Sequence, residues 1–127
     1  MYDMKANKIL WSKTYYVYVN DLELVDEFLF ICTENIPFPV LNLESLKIEY
    51  YVELDYPCRN IDINKDKTIM AIATNANVVL WNYQKKETLK QMVIGDWPCE
   101  LKFNPEGNRL LIALYGGELI KIDIKLK

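Results

Sequence analysis

The chain has 127 residues, about half of them apolar and a quarter charged, with a net charge of −3 and no histidine. That length gives one domain with a sizeable core. The weakly acidic balance argues against nucleic acid or an anionic membrane as partner, because each calls for a basic stripe. Without histidine, no Ser-His or Cys-His nucleophile and no imidazole metal ligand can be built.

Alternating apolar and polar residues, punctuated by turn residues, predict strands near 8–11, 14–19, 28–33, 39–43, 47–53, 59–63, 69–74, 78–83, 87–94, 100–103, 109–114 and 118–126. The stretch Asp21–Glu27 reads either as a strand extension or as one helical turn. Asn104-Pro105-Glu106-Gly107-Asn108 is a tight reversal, with Asn64-Lys65-Asp66-Lys67 as its earlier counterpart. Gly116-Gly117 and Asn75-Ala76-Asn77 are matching hairpin loops.

The chain repeats itself. Asp55-Tyr56-Pro57-Cys58 recurs 41 residues later as Asp96-Trp97-Pro98-Cys99. Ile61–Asn64 then matches Leu101–Asn104, and Ile69–Ala73 matches Leu110–Ala113. An earlier unit fits as well, with Phe28–Thr33 lying 41 residues ahead of Ile69–Thr74. Its opening strand is placed at Tyr15–Val19. A period of roughly 40–45 residues with four short strands per unit is the signature of propeller blades. The expected architecture is all-β: a single domain over 1–127, built as a three-bladed half-propeller of antiparallel four-stranded sheets, with units near 12–54, 55–95 and 96–127.

Cys58 and Cys99 fall at matching places in that repeat, which suggests small buried thiols rather than a disulfide; Cys32 is the third cysteine. Met1–Leu10 has no secretory pattern, and no apolar run approaches membrane-spanning length. A reducing cytoplasm is therefore the expected compartment.

Phe103-Asn104-Pro105-Glu106-Gly107-Asn108-Arg109-Leu110-Leu111 resembles the first turn of a WD40-type blade, and Val78-Val79-Leu80-Trp81-Asn82 resembles its third strand. The family's Gly-His pair is absent and Asn82 stands where Asp is usual, so its hydrogen-bonded tetrad does not carry over. Three blades do not close a ring. Either a second copy supplies the missing strand to each end, with Lys8–Trp11 as an outer strand, or the open side is covered by the chain's termini or another protein. In size, blade count and acidity the chain also resembles small immunity proteins of bacterial contact-dependent growth inhibition. That resemblance implies a cytoplasmic protein that binds and blocks a co-encoded toxin, in some cases a basic ribonuclease.

Candidate chemistry is sparse. The cysteines lack zinc-site spacing, Gly116-Gly117 is no phosphate loop, and Asp26-Glu27 and Glu53/Asp55 read as exposed strand ends. Catalysis, cofactors and metals are not expected. The tyrosines of Tyr15–Tyr18 and Tyr50-Tyr51 lack neighbouring cations for phosphates, so they read as sheet packing rather than a base-stacking platform. What remains is surface for a partner. In a propeller the blade-to-blade connections and the second-to-third-strand hairpins share one rim. That rim carries Asp55-Tyr56, Asp96-Trp97, Glu34-Asn35, Asn75–Asn77 and Tyr115, and the candidate partner-binding residues are Glu34, Asp55, Tyr56, Asp96, Trp97, Glu100 and Tyr115. Aromatic residues would anchor a basic protein and acids would steer it. Tyr56 and Trp97 can equally be read as packing over blade junctions. The expected function is non-catalytic binding of a basic toxin domain; the alternative is a six-bladed homodimer, joined through terminal strands, that serves as an assembly scaffold or small-ligand lectin.

Overall fold

The computed structural model describes residues 2, 3, 8, 9, 11, 12, 14, 17–75 and 77–124. Two short strands, β1 (Tyr2–Asp3) and β2 (Lys8–Ile9), pair with each other in a separate two-stranded sheet among the described residues. Residue 10 of the expected strand 8–11 lies outside the described residues. The rest is three antiparallel sheets laid side by side. Blade 1 runs β3 (Val19–Val25), β4 (Phe28–Thr33), β5 (Phe38–Asn42), β6 (Lys47–Val52). Blade 2 runs β7 (Cys58–Ile63), β8 (Ile69–Thr74), β9 (Asn77–Asn82), β10 (Glu87–Val93). Blade 3 has three strands among the described residues, β11 (Pro98–Phe103), β12 (Arg109–Leu114) and β13 (Leu119–Asp123). Each blade is a meander of neighbouring strands, and β7 packs against both β3 and β11, so the first strand of each blade is the innermost.

The innermost strand of blade 1 differs from the sequence expectation. Asn20, Leu22 and Leu24 alternate with Asp21, Glu23 and Val25 along β3, so Asp21–Glu27 opens as a strand and reverses at Asp26, where φ is +57°. Of the expected strand 14–19, residues 15 and 16 lie outside the described residues, 14, 17 and 18 are not in a strand, and Val19 opens β3. Asp26, Lys67 (φ +59°) and Gly107 (φ +79°) are the left-handed residues of the three first hairpins. Only the last is glycine; the other two hold a conformation that an L side chain adopts at some cost.

Two layers of side chains hold the blades together. Phe30, Cys32, Phe38 and Val40 of blade 1 meet Ile61, Met70, Ile72 and Trp81 of blade 2. Ile69, Ala71, Val78 and Leu80 of blade 2 meet Leu101, Phe103, Leu110 and Ile112 of blade 3. Blade 2 is apolar on both faces because it is covered on both, which is why β8 and β9 read as continuous apolar runs. Trp81 packs edge-on to Phe30 at 6.0 Å. Asn82, beside it, turns its Oδ1 to the backbone N–H of Lys85 at 2.8 Å and shapes the hairpin.

The cysteine expectation is overturned. Cys32 of β4 and Cys58 of β7 form a disulfide across the first blade junction, while Cys99 is exposed and free. The reason is register. The connection into β11 (94–97) is one residue shorter than the connection into β7 (53–57), so Pro98 rather than Cys99 takes the place of Cys58: Cys58 pairs with Thr74 and Pro98 with Leu114. Cys99 then falls in the bulge that follows, and a one-residue shift reverses which face a side chain joins.

Candidate functional site

The strand order puts the blade-to-blade connections and the second-to-third-strand hairpins at one end of the sheets. Glu34, Asp55, Tyr56, Asp96, Trp97 and Tyr115 all lie at that end. The first and third blades supply two distinct centres there.

At the third blade the rim is built by Asp96. Its Oδ1 accepts the backbone N–H of Trp97 at 2.7 Å, and its Oδ2 accepts the backbone N–H of Gly116 at 2.9 Å. The Tyr115 N–H in turn donates to the Trp97 carbonyl at 2.8 Å. These bonds lock the blade junction to the β12–β13 hairpin. The Trp97 and Tyr115 rings are thereby held 5.8 Å apart in a tilted pair, yet remain 55% and 74% exposed. A Cβ on Gly116 would stand 2.7 Å from the Asp96 carboxylate, so a side chain there would break the clasp.

At the first blade, Glu34 receives the Arg59 guanidinium and the Asn20 amide, the latter at 2.6 Å. The Asn20 bond first, together with the bond and charge of Arg59, holds its carboxyl below the usual carboxylate range against the opposing effect of burial. Asn20 also donates to the Cys58 carbonyl at 2.8 Å, tying this cluster to the disulfide. Asn20, Arg59 and Cys99 are the bulge residues of the three innermost strands. Together with Asn75, Trp97, Pro98 and Tyr115 they line a cleft of about 270 Å³. The sequence pointed to Glu34, Trp97 and Tyr115 here and placed Asn75 on the same rim, but missed Asn20 and Arg59. Asn20 and Arg59 occupy the same bulge position, a signal hidden by the misplaced first strand.

Two candidates stand apart. Asp55 and Tyr56 are exposed on the first junction, and Asp55 makes no hydrogen bond among the described residues. Glu100 is not on the rim: it sits in β11 opposite Ala113, on the outward face of blade 3. Among the described residues no group of three or more Cys, Asp or Glu side chains is arranged to hold a metal ion, and no helix is long and apolar enough to cross a membrane.

No family model and no curated protein matches the sequence. Solved structures do resemble the fold. The chain superposes on Kuenenia stuttgartiensis hydrazine synthase with a TM-score of 0.70 and 20% identity, over 76% of this chain and 29% of that one. On the Myceliophteria thermophila Cps50 (Swd1) β-propeller domain the TM-score is 0.78 at 12% identity, over 89% of this chain and 38% of that one. The chain thus spans roughly a third of the length of each. Its three sheets are an arc of a β-propeller.

Proposed function

We propose that this chain is a non-catalytic protein-binding protein whose partner seats on the Trp97–Tyr115 rim. The carrying observation is that aromatic pair, locked by the Asp96 clasp yet left open to solvent beside a cleft lined by Arg59 and Asn75. Rigid aromatic anchors that lose little freedom on binding are what a hot spot requires. Asp55, unpaired and exposed, adds steering charge to a chain that is already acidic.

The finer reading is an immunity protein that occludes the cationic active site of a co-encoded bacterial toxin, a ribonuclease in the most concrete form. Its support is the size, blade number and acidity of the chain together with this rim. The test is calorimetric titration of the chain with the toxin domain encoded beside its gene, with nuclease activity read in parallel. Tight stoichiometric binding with loss of nuclease activity is expected. Absence of binding overturns the immunity reading, and binding unaffected by Trp97→Ala overturns the rim assignment.

A further inference from the structure

The two blade junctions follow one rule. On the innermost strands, side chains facing the following blade accept that blade's backbone N–H groups. Asp21 accepts from Ile61 at 3.0 Å, Asn60 from Leu101 at 2.8 Å, and Asp62 from Phe103 at 2.7 Å. Apolar side chains facing the preceding blade fill the junction between. Ile61 and Leu101 are 4% and 1% exposed.

Among the described residues, each end of the arc carries one half of this junction open to solvent. In blade 1, Leu22 and Leu24 occupy the places of Ile61/Leu101 and Ile63/Phe103, yet they are 54% and 57% exposed. The Leu22 N–H, unlike those of Ile61 and Leu101, turns to its own neighbour, Asp21 Oδ1, at 2.9 Å. Ile31 and Leu41 on this same side are buried within the chain, so the free part is the inner strip of Leu22 and Leu24. In blade 3, the rows Glu100–Ala113–Leu119 and Lys102–Leu111–Lys121 take the places of Asn60–Ala73–Val78 and Asp62–Ala71–Leu80. The blade 2 rows carry blade 3. Those of blade 3 line an open groove of about 300 Å³, with Leu119 80% exposed.

From these two half-junctions we infer that the occupant of the blade 3 groove is the first blade of a second copy of this chain. The Leu22–Leu24 strip of one copy packs on Leu111, Ala113 and Leu119 of the other. The Glu100 carboxylate, in the place of Asn60, accepts the Leu22 N–H that is otherwise turned onto Asp21. Because every copy carries both halves, two copies make the contact twice about a twofold axis and leave neither half free. Lys102 and Lys121, flanking Leu111, make the groove more polar than the internal junctions, as expected of a surface that is soluble before it is covered. The rim used in the proposed function remains outside this contact.

The experiment is solution mass by multi-angle light scattering, from micromolar to several hundred micromolar chain. The expected mass is twice the 15.0 kDa of the chain. Leu22→Lys and Leu111→Glu, both at solvent-exposed positions of the single chain, are each expected to be monomeric with unchanged circular dichroism. Mixed one to one, they are expected to recover the dimer, since one of the two junctions then pairs Lys with Glu and the other is native. A wild-type chain monomeric throughout overturns the inference. So does a dimer that both variants leave intact, or a mixture that stays monomeric.

Discussion

The side-chain oxygen of Asn60, on β7, accepts the backbone N–H of Leu101, on β11, at 2.8 Å and 41 residues along the chain. The same side chain donates its Nδ2 to Asp21 of blade 1 at 2.9 Å, so one residue joins all three blades. Asn60→Ala removes both bonds and leaves the Leu101 N–H without its acceptor in a closed junction. The expected loss is about 1–3 kcal/mol, the range for an unsatisfied buried donor. Urea unfolding checks it: the midpoint falls with the slope unchanged. An unmoved midpoint would show that the junction is held by its apolar layer alone.

Glu23 should give stability a dependence on pH. Burial first, then the charges of Asp62 and Asp21, raise its carboxyl to about 7, against a lowering effect of Lys102. The folded pKa lies above the unfolded value, so the folded state favours the protonated form. This contribution is fully present below the unfolded pKa near 4.5 and is lost as pH rises through about 7. Glu23→Gln removes the penalty of ionisation. The stability difference between variant and wild type should therefore grow in the variant's favour from pH 5 to pH 8 and then level off. A difference independent of pH would place Glu23 in solvent.

The Cys32–Cys58 disulfide closes a loop with a sequence separation of 26 residues. Loop-closure entropy for that length corresponds to roughly 3.5 kcal/mol. Cys58→Ser should lower stability by about that amount, measured by denaturant unfolding under non-reducing conditions. Thiol counting is a separate check: one reactive thiol, Cys99, is expected in the native protein, and three after reduction and unfolding. Protein trapped with alkylating agent at the moment of cell lysis reports the compartment too. Three alkylated thiols would match the cytoplasm expected from the sequence, whereas a retained disulfide would match an oxidising one.

Asp55 and Asp96 look alike in the sequence but should behave differently. Asp55→Lys touches no hydrogen bond, so it should leave the folded state unchanged and slow association with a basic partner, more so at low salt. Asp96→Lys breaks the clasp to Gly116 and should also disorder the Trp97–Tyr115 pair, visible as a loss of near-ultraviolet circular dichroism. Trp97→Ala keeps the clasp and should weaken partner binding at least tenfold, as expected of a hot-spot anchor. Equal binding by Asp55→Lys and wild type at low salt would remove Asp55 from the contact.

Much of the fold was legible because a propeller writes its period into the chain. The pairs Ile61–Asn64 with Leu101–Asn104 and Ile69–Ala73 with Leu110–Ala113 are short-range patterns of alternation and turn chemistry, and local physics specifies both. The rim was legible for the same reason, since connections between antiparallel strands alternate ends. Blade 1 was harder: β3 lacks the Pro-Cys start of its counterparts, and Leu22-Glu23-Leu24-Val25 satisfies a helical turn as well as a strand. Only pairing with β4 decides between them.

Strands and turns follow from the chain alone, because they depend on residues a few positions apart, and the repeat is read from their recurrence 41 residues on. The tertiary structure alone decided register and what lies across each junction. One residue fewer before β11 separated the fates of Cys58 and Cys99. Contact with the neighbouring hairpin turned Asp96 into a clasp while Asp55 stayed free. Position at the ends of the described arc leaves Leu22 and Glu100 exposed in the places that Asn60 and Leu101 fill inside the chain. Each outcome depends on residues brought together from distant parts of the chain, and alternation along a strand carries no information about which blade stands opposite.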